Sequence, residues 1–494
     1  MTSSISQPTH DIARAGLIGR DSSQMKILLI DPPFGSIEMG GEKKRFAGVE
    51  NAIPSLGLAY LAAVAEQDGH EVRIHDGTIT PAWSAMATLG REFRPDVVGI
   101  TAKTPSFTNC IQSAKILKEA SPGVVLIAGG SHPTAMTEHA LAAEIFDFLV
   151  LGEGEVTFRE LLKKIADRGT DFESIPGLAM NRDGKPVITS PRPPIADLDQ
   201  IPFPARHLLP QLTAYSPTAA SYRRLPLAHV MTSRGCPSRC NFCDRAIFGE
   251  RYRARSAANV LAEIDQLVNT HGAREIRFFD DTFTINNKRL TAICKGMKTD
   301  FPQIPWTCLT KAEAVTLDML KMMHDAGCWQ VLYGLESGDD TVLASLGKKN
   351  TVEMNRRAVR WARRAGLRVR ADFLVGTPKE TPETLQKTLD FAKELDIDFA
   401  HFNKFVPFPG TTFYQQLTSQ GYTFDFSGSS STLDHDALLY VPPEVPVDWY
   451  KKFLERSYKE FYLRPGYMVR RLLSMRTWPE FWGNFKGMFA INSL

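Results

Sequence analysis

Cysteine is scarce. The chain has seven in 494 residues, and four of them, Cys110, Cys294, Cys308 and Cys328, are scattered, the nearest two being the 14 positions between Cys294 and Cys308 apart. That spacing excludes a disulfide framework and a second short-range metal knot, and it fits a reduced, cytosolic chain. Long apolar runs are missing too: no stretch reaches the roughly 18 residues that a membrane helix needs. Neither sign of charge dominates, with 58 Lys and Arg against 55 Asp and Glu, which removes any global case for nucleic-acid binding. The first 24 residues are polar and lack the apolar core of a secretory signal, so 1–24 reads as a disordered extension. The strand that follows is not succeeded by G-x-G-x-x-G but by "DPPFGSIEMGG", which argues against a nicotinamide or flavin dinucleotide.

Residues 25–165 alternate strand-like and helical patterns. "MKILLID", "HEVRIHDG", "DVVGITAKT", "GVVLIAGG" and "FDFLVLGEG" read as five strands, and all but the second are so continuously apolar that both faces must be buried. The intervening stretches carry apolar residues at helical spacing. Five βα units in a row predict an α/β domain with a doubly wound, Rossmann-like or flavodoxin-like parallel sheet. Ligands of such sheets bind beyond the carboxyl ends of the strands. Those ends carry Asp31, Thr101 to Ser106, Gly129, Gly130 and His132, and Gly152 to Glu155 with Glu153 among them. Small residues there let backbone N–H groups approach a bulky or phosphorylated ligand. Taken singly, each glycine could equally serve a tight turn, and His132 reads as a satisfied loop histidine more readily than as a metal ligand.

The segment 166–224 contains "SPRPPIADLDQIPFPARHLLP" and reads as an interdomain linker. A second α/β series spans 225–418, with strands expected at "LAHVMTSRG", "EIRFFDDTFT", "WTCLTKAEAV", "WQVLYGLESG", "VRADFLVGTP" and "FAHFNKFVPF". Six such units predict a partial (β/α)6 barrel, whose chemistry belongs at the C-terminal strand ends. Beyond it, 419–494 alternates aromatic residues with Arg and Lys and is expected to be helical, its aromatic face packed on the barrel mouth. The same basic, Trp-rich surface would also suit peripheral membrane contact or a hydrophobic substrate.

The remaining cysteines stand together in "SRGCPSRCNFCDRA", at C-x3-C-x2-C, where the first barrel strand ends. A structural zinc site wants four ligands, and only His229 in the preceding strand could complete one. Three buried thiols without a role are a second alternative. Thiolates are also the usual holders of iron-sulfur clusters. A loop of three can grip three irons of a 4Fe-4S cube and leave the fourth open for a substrate or cofactor.

With an aromatic residue before the third cysteine, this loop resembles that of the radical S-adenosylmethionine (SAM) superfamily. "FFDD", "GLESGDD", "FLVGTPKET" and "PFPGT" extend the similarity over about 225–415. The resemblance implies that Cys236, Cys240 and Cys243 hold the cluster, and that SAM chelates the open iron and is cleaved to methionine and a 5'-deoxyadenosyl radical. It places Phe242 beside the adenine, Asp280 and Asp281 near the SAM amino group, Glu336 and Ser337 at the ribose and carboxylate, and Gly376 at the turn that admits the adenine. Lys311 stands where many relatives carry arginine, so its carboxylate contact would be a point charge rather than a fork.

In that light 25–165, with "PSLGLAYLAA", "DVVGIT", "AGGSHPT" and "LGEGE", is similar to the cobalamin-binding module of the B12-dependent radical SAM class. The D-x-H-x-x-G motif, by which many corrinoid proteins put histidine on cobalt, is absent, which implies cobalamin held without a histidine ligand or a domain that binds none. The class implies methylation of an unactivated carbon, methylcobalamin delivering the group to a substrate radical. Oxidative cyclisation or ring rearrangement, as in tetrapyrrole cyclases, is the alternative, and a corrinoid or iron-sulfur sensor a third. Cys110 alone cannot supply the second cluster of a methylthiotransferase. Expected partners are a small-molecule substrate and an electron donor such as flavodoxin or ferredoxin.

Overall fold

The protein's computed structural model describes residues 24–33, 52–426 and 438–474; the polar extension expected at 1–24 lies, but for Gln24, outside them. The described residues form two compact units, one built mainly on Ser55–Pro193 and the other mainly on the chain from Pro210 onward.

In the first unit seven strands run β1 (Lys26–Asp31), β2 (Glu71–Asp76), β3 (Val97–Thr101), β4 (Val125–Gly129), β5 (Phe148–Val150), β6 (Leu178–Arg182) and β7 (Lys185–Ile188). Their order is β2-β1-β3-β4-β5-β6-β7. The first five are parallel, and β6 and β7 add an antiparallel extension. The apolar runs explain the layering. Ile27 and Leu29 of β1 enter one core and Leu28 and Ile30 the opposite one, so helices must cover both faces. Strand order reverses about β1, which puts the switch point at the carboxyl ends of β1 and β3.

The second unit is a six-stranded sheet of β8 (Leu227–Val230), β11 (Glu275–Phe278), β12 (Trp306–Thr310), β13 (Cys328–Glu336), β14 (Arg368–Val375) and β15 (Phe399–Lys404), with β9 (Ser233–Arg234) and β10 (Arg253–Ala254) in a small side ribbon. Neighbours in the large sheet are parallel and follow chain order. The helices between them start at side-chain caps: Ser256, Asn286, Thr316, Thr351 and Thr381 each accept an amide of the first turn, satisfying a donor that the helix itself cannot. The sheet is curled. The charge of Arg277 on β11 acts on His401 of β15, although four strand spacings in a flat sheet would be roughly 19 Å.

The C-terminal helices Val447–Tyr462 and Pro465–Ser474 depart from expectation. Their aromatic face is applied mainly to the free edge of β15. The hydroxyl of Tyr462 donates to Ala400 O at 2.8 Å and accepts from Ala400 N at 3.0 Å, and Tyr458 does the same for Phe402 at 3.3 and 3.2 Å. The phenols thus satisfy edge groups that would otherwise invite another strand. Tyr450 reaches the strand-end region, donating to Val375 O at 2.8 Å. Val469, Leu472 and Leu473 of the last helix are exposed, and the rest of the expected helical region, 475–494, lies outside the described residues. No helix among the described residues is long and apolar enough to cross a membrane.

Candidate active site

The cysteine loop leaves β8 through a backbone that only glycine can provide. Gly235 has φ +80°, and a Cβ there would collide with the carbonyl of Arg251, so the residue before Cys236 is fixed by both conformation and space. The strand end is braced by Asp280, which is buried. Its carboxylate accepts the Thr232 amide at 2.6 Å, the Thr232 hydroxyl, and the Ser233 hydroxyl at 2.6 Å. Farther along, Asn241 accepts Phe413 N at 2.9 Å through its carbonyl and donates its amide to Leu346 O at 2.9 Å. Phe242 packs against the apolar cluster of Val342, Leu346, Phe405 and Phe413.

Cys236 and Cys240 are buried and Cys243 is exposed at the protein surface. Lys311, at the end of β12, stands 3.5 Å from Cys236 Sγ and also bonds Ser238. Burial raises the Cys240 thiol, while Lys311 and Lys348 oppose the rise. For Cys243, partial withdrawal from water and the charges of Asp281, Cys240 and Cys236 push it up to about 12. The three sulfurs are close enough to feel one another. Among the described residues, though, no three His, Cys, Asp or Glu side chains converge as ligands of one metal ion. The zinc alternative therefore finds no tetrahedral set, and His229 instead meets the ring of Phe279 edge-on at 5.7 Å. Three neighbouring thiols flanked by two ammonium groups fit the corner ligation of a multi-iron cluster.

The other expected residues also gather at the C-terminal ends of this sheet, in unequal roles. Asp281 keeps an exposed carboxylate, raised by partial withdrawal from water and by Asp280, with Lys311 opposing. Glu336 ends β13 at φ +64°, beside a register shift between Gly334 and Glu336, and such a bulge re-aims a side chain. Its carboxylate lies 2.9 Å from Lys348. Lys348, buried, also donates to Gly334 O, and the neighbouring Glu336 carboxylate outweighs burial and holds its ammonium above the ordinary range. Two of the expected residues are engaged by protein groups. Ser337 is fully buried, its hydroxyl shared between Thr388 at 3.0 Å and the Asp339 amide at 3.1 Å. At Gly376, φ +82°, a Cβ would strike the hydroxyl of Tyr450, so the turn after β14 requires glycine.

The expected corrinoid residues lie in the first unit, at its carboxyl strand ends. Thr101 and Gly129 close β3 and β4, and Glu153 is buried at the start of the helix Gly154–Ala166. Ser106 turns back to Lys103 O. Asp31 is buried against Lys103 at 3.2 Å. A Cβ on Gly130 would sit 2.9 Å from Ala102 O, whereas one on Gly152 would meet nothing within 4 Å. His132 has both ring nitrogens engaged, with Thr104 at 3.2 Å and His139 at 3.0 Å, and stacks on Phe107. Burial and His139 depress its pKa to about 4. The donor set therefore fits a flat ligand lying over small residues and receiving no imidazole from His132.

Sequence reasoning missed Lys348, which the doublet in "LGKKN" does not distinguish from Lys349. It missed Glu380 as well, whose buried carboxylate accepts the Thr377 amide at 2.7 Å and its hydroxyl at 2.9 Å and so closes the turn after Gly376. The threonines of "GTPKET" were the available signal.

Comparison with known proteins adds independent findings. The radical SAM superfamily model matches residues 230–392 and the B12 binding domain model residues 43–162. The chain is 35% identical over 450 residues to the uncharacterized methyltransferase PH0819 of Pyrococcus horikoshii, covering 90% of this chain and 94% of that one. It is 30% identical to the anaerobic magnesium-protoporphyrin IX monomethyl ester cyclase of Rubrivivax gelatinosus, over 81% and 72% of the two chains. Its fold superposes on the radical SAM methyltransferase TsrM of Kitasatospora setae, solved with cobalamin and a 4Fe-4S cluster, with a TM-score of 0.68, 18% identity and 90% coverage of each chain.

Proposed function

The chain belongs to the B12-dependent radical SAM enzymes, and from that membership we propose that it is a methyltransferase acting on an unactivated carbon of a small molecule. The observation that carries the proposal is the braced three-cysteine loop at one sheet's carboxyl edge, in a chain whose other sheet is a B12 binding domain. When bound, the cluster with SAM supplies a radical that abstracts hydrogen, and the corrinoid supplies the methyl group.

Cys236, Cys240 and Cys243 would hold three irons. Lys311 and Lys348 place positive charge beside them, and unit charges 4 Å apart near a protein surface interact by about 4 kcal/mol, which offsets the crowding of thiolates. Asp281 and Glu336 offer acceptors for the ammonium and hydroxyl groups of SAM. Phe242, held by its apolar cluster, provides an aromatic wall. Domain roles follow: 25–165 for the corrinoid, 225–418 for SAM and substrate. The electrons would come from a low-potential donor such as flavodoxin or ferredoxin, and the exposed apolar residues of the last helix would suit a membrane-surface contact.

The test is product stoichiometry. Each methylation should consume two SAM molecules, one recovered as S-adenosylhomocysteine and one as 5'-deoxyadenosine, and label from methyl-deuterated SAM should enter the product in step with both. A product of unchanged carbon count, with deoxyadenosine but little homocysteine product, would support the cyclase reading that the Rubrivivax relative motivates. Cys240→Ala should abolish deoxyadenosine formation in either case.

A further inference from the structure

Because β8 to β15 curl, alternate strand residues face an interior chamber while the others pack outward. Ala228, Ile276, Phe278, Ala371, Phe373 and Phe402 belong to the outer core. Their sequence neighbours do not, and Phe279, Leu309, Arg370, Asp372, Leu374 and His401 all retain partial exposure. Residues in the middle of a six-stranded sheet keep solvent contact only if the concave side encloses space. The floor is supplied by the segment before β8: Ser221 bonds Arg370 at 3.2 Å, and the amides of Arg223 and Arg224 bond Glu275 at 2.7 and 2.6 Å.

Just above this floor two guanidinium groups face one another from β11 and β14. Arg277 is 6% exposed, and its Nη1 has no hydrogen-bond partner among the described residues. Burial and the charge of Arg370 lower its pKa to about 10. Arg370 has one carboxylate nearby, Asp372 at 3.5 Å, and touches His401 at 3.3 Å. Burial and Arg370 push His401 down to about 4, so it adds no charge. Asp372 is the carboxylate that both guanidinium groups meet, while Glu275, which also acts on Arg277, is engaged by the Arg223 and Arg224 amides and the Trp329 indole. Among the described residues Arg277 Nη1 is thus left without an acceptor, and a bound anion would supply one.

We propose that this chamber is the substrate pocket's inner end, an oxyanion subsite in which Arg277 and Arg370 hold a carboxylate or phosphate of a substrate whose apolar body lies along Phe279, Leu309 and Leu374. The proposal rests on the enzymatic reading above and narrows it: the substrate is an amphipathic anion, with the carbon to be modified held toward the strand ends by its anchored head. Asp372 sets the affinity, because it competes with the ligand for Arg370.

Isothermal titration calorimetry of the reconstituted protein with decanoate, decyl phosphate and neutral decanamide, each below its micelle concentration, tests this. At least one anion should bind tenfold or more tightly than the amide, and the tighter of the two identifies the head group. Arg370→Gln should abolish the preference, Arg370→Lys should retain most of it, and Asp372→Asn should strengthen anion binding several-fold, a gain that a damaged fold would not produce. Equal binding of amide and anions by the wild-type protein, or weaker anion binding by Asp372→Asn, would overturn the subsite. Iron content and substrate-free SAM cleavage, measured on the same wild-type sample, report separately on the enzymatic reading.

Discussion

Lys348 shows how one side chain can hold a site together. It is almost wholly enclosed, and its ammonium joins the Glu336 carboxylate to the backbone of Gly334 across the bulge in β13. Glu336 needs that support, since a non-glycine residue at positive φ is strained by roughly 1–3 kcal/mol. Replacing Lys348 by Met leaves a carboxylate without its counter-charge and should lower stability by about 3–5 kcal/mol, read as a shift in the denaturant midpoint. Adding Glu336→Gln should restore much of that stability but not SAM affinity measured by equilibrium dialysis. What was legible at this scale was whatever chain spacing alone determines: three thiols on one loop, and carboxylates at strand ends. Lys348, and the inward turn of Ser337, depend on the bulge between Gly334 and Glu336, and a one-residue register shift in parallel strands leaves no periodic trace.

Elements were legible in proportion to their hydrophobic pattern. The continuous runs of β1, β3 and β4 and the alternation in β14 announce themselves. The β6–β7 hairpin was absorbed into the linker because a proline-rich stretch follows it, although Asp183 and Gly184, both at φ above +50°, are the Asp-Gly pair of a two-residue hairpin turn. The turn after β14 carries a pH dependence. Glu380 is fully buried, and desolvation raises its pKa to about 7, despite the Thr377 bonds that lower it. In the unfolded chain a glutamate titrates near 4.3, so the folded state binds the extra proton between these values. The stabilisation is complete below about pH 4 and is lost as pH rises toward and through 7, by up to about 3 kcal/mol. Glu380→Gln should flatten the melting temperature between pH 5 and 8 relative to wild type; parallel profiles for the two proteins would show that the carboxyl does not titrate there.

At the scale of the whole chain, two large sheets were expected and two are present among the described residues, beside the small β9–β10 ribbon, with the expected site residues gathered toward the carboxyl ends of the strands. What the sequence could not reveal is which polar groups the fold consumes internally. His132 reads as a satisfied loop histidine, and its partners are Thr104 and His139. The cob(II)alamin form should accordingly show no nitrogen superhyperfine splitting in electron paramagnetic resonance, and a splitting lost on His132→Ala would contradict that assignment. A bulky residue at Gly152, where a Cβ meets nothing within 4 Å, is a better block to the corrinoid than one at Gly130, whose Cβ would press on Ala102. The tyrosine seal on β15 has a further consequence, for synthesis. Strands β8 to β15 are added in chain order, so during translation each new strand can dock on the one before it while the ribosome is still working. The growing edge stays sticky throughout, and the phenols of Tyr458 and Tyr462 emerge only after every strand is complete. A nascent chain stalled between β15 and Tyr458 therefore presents an uncapped ladder to its neighbours on the polysome.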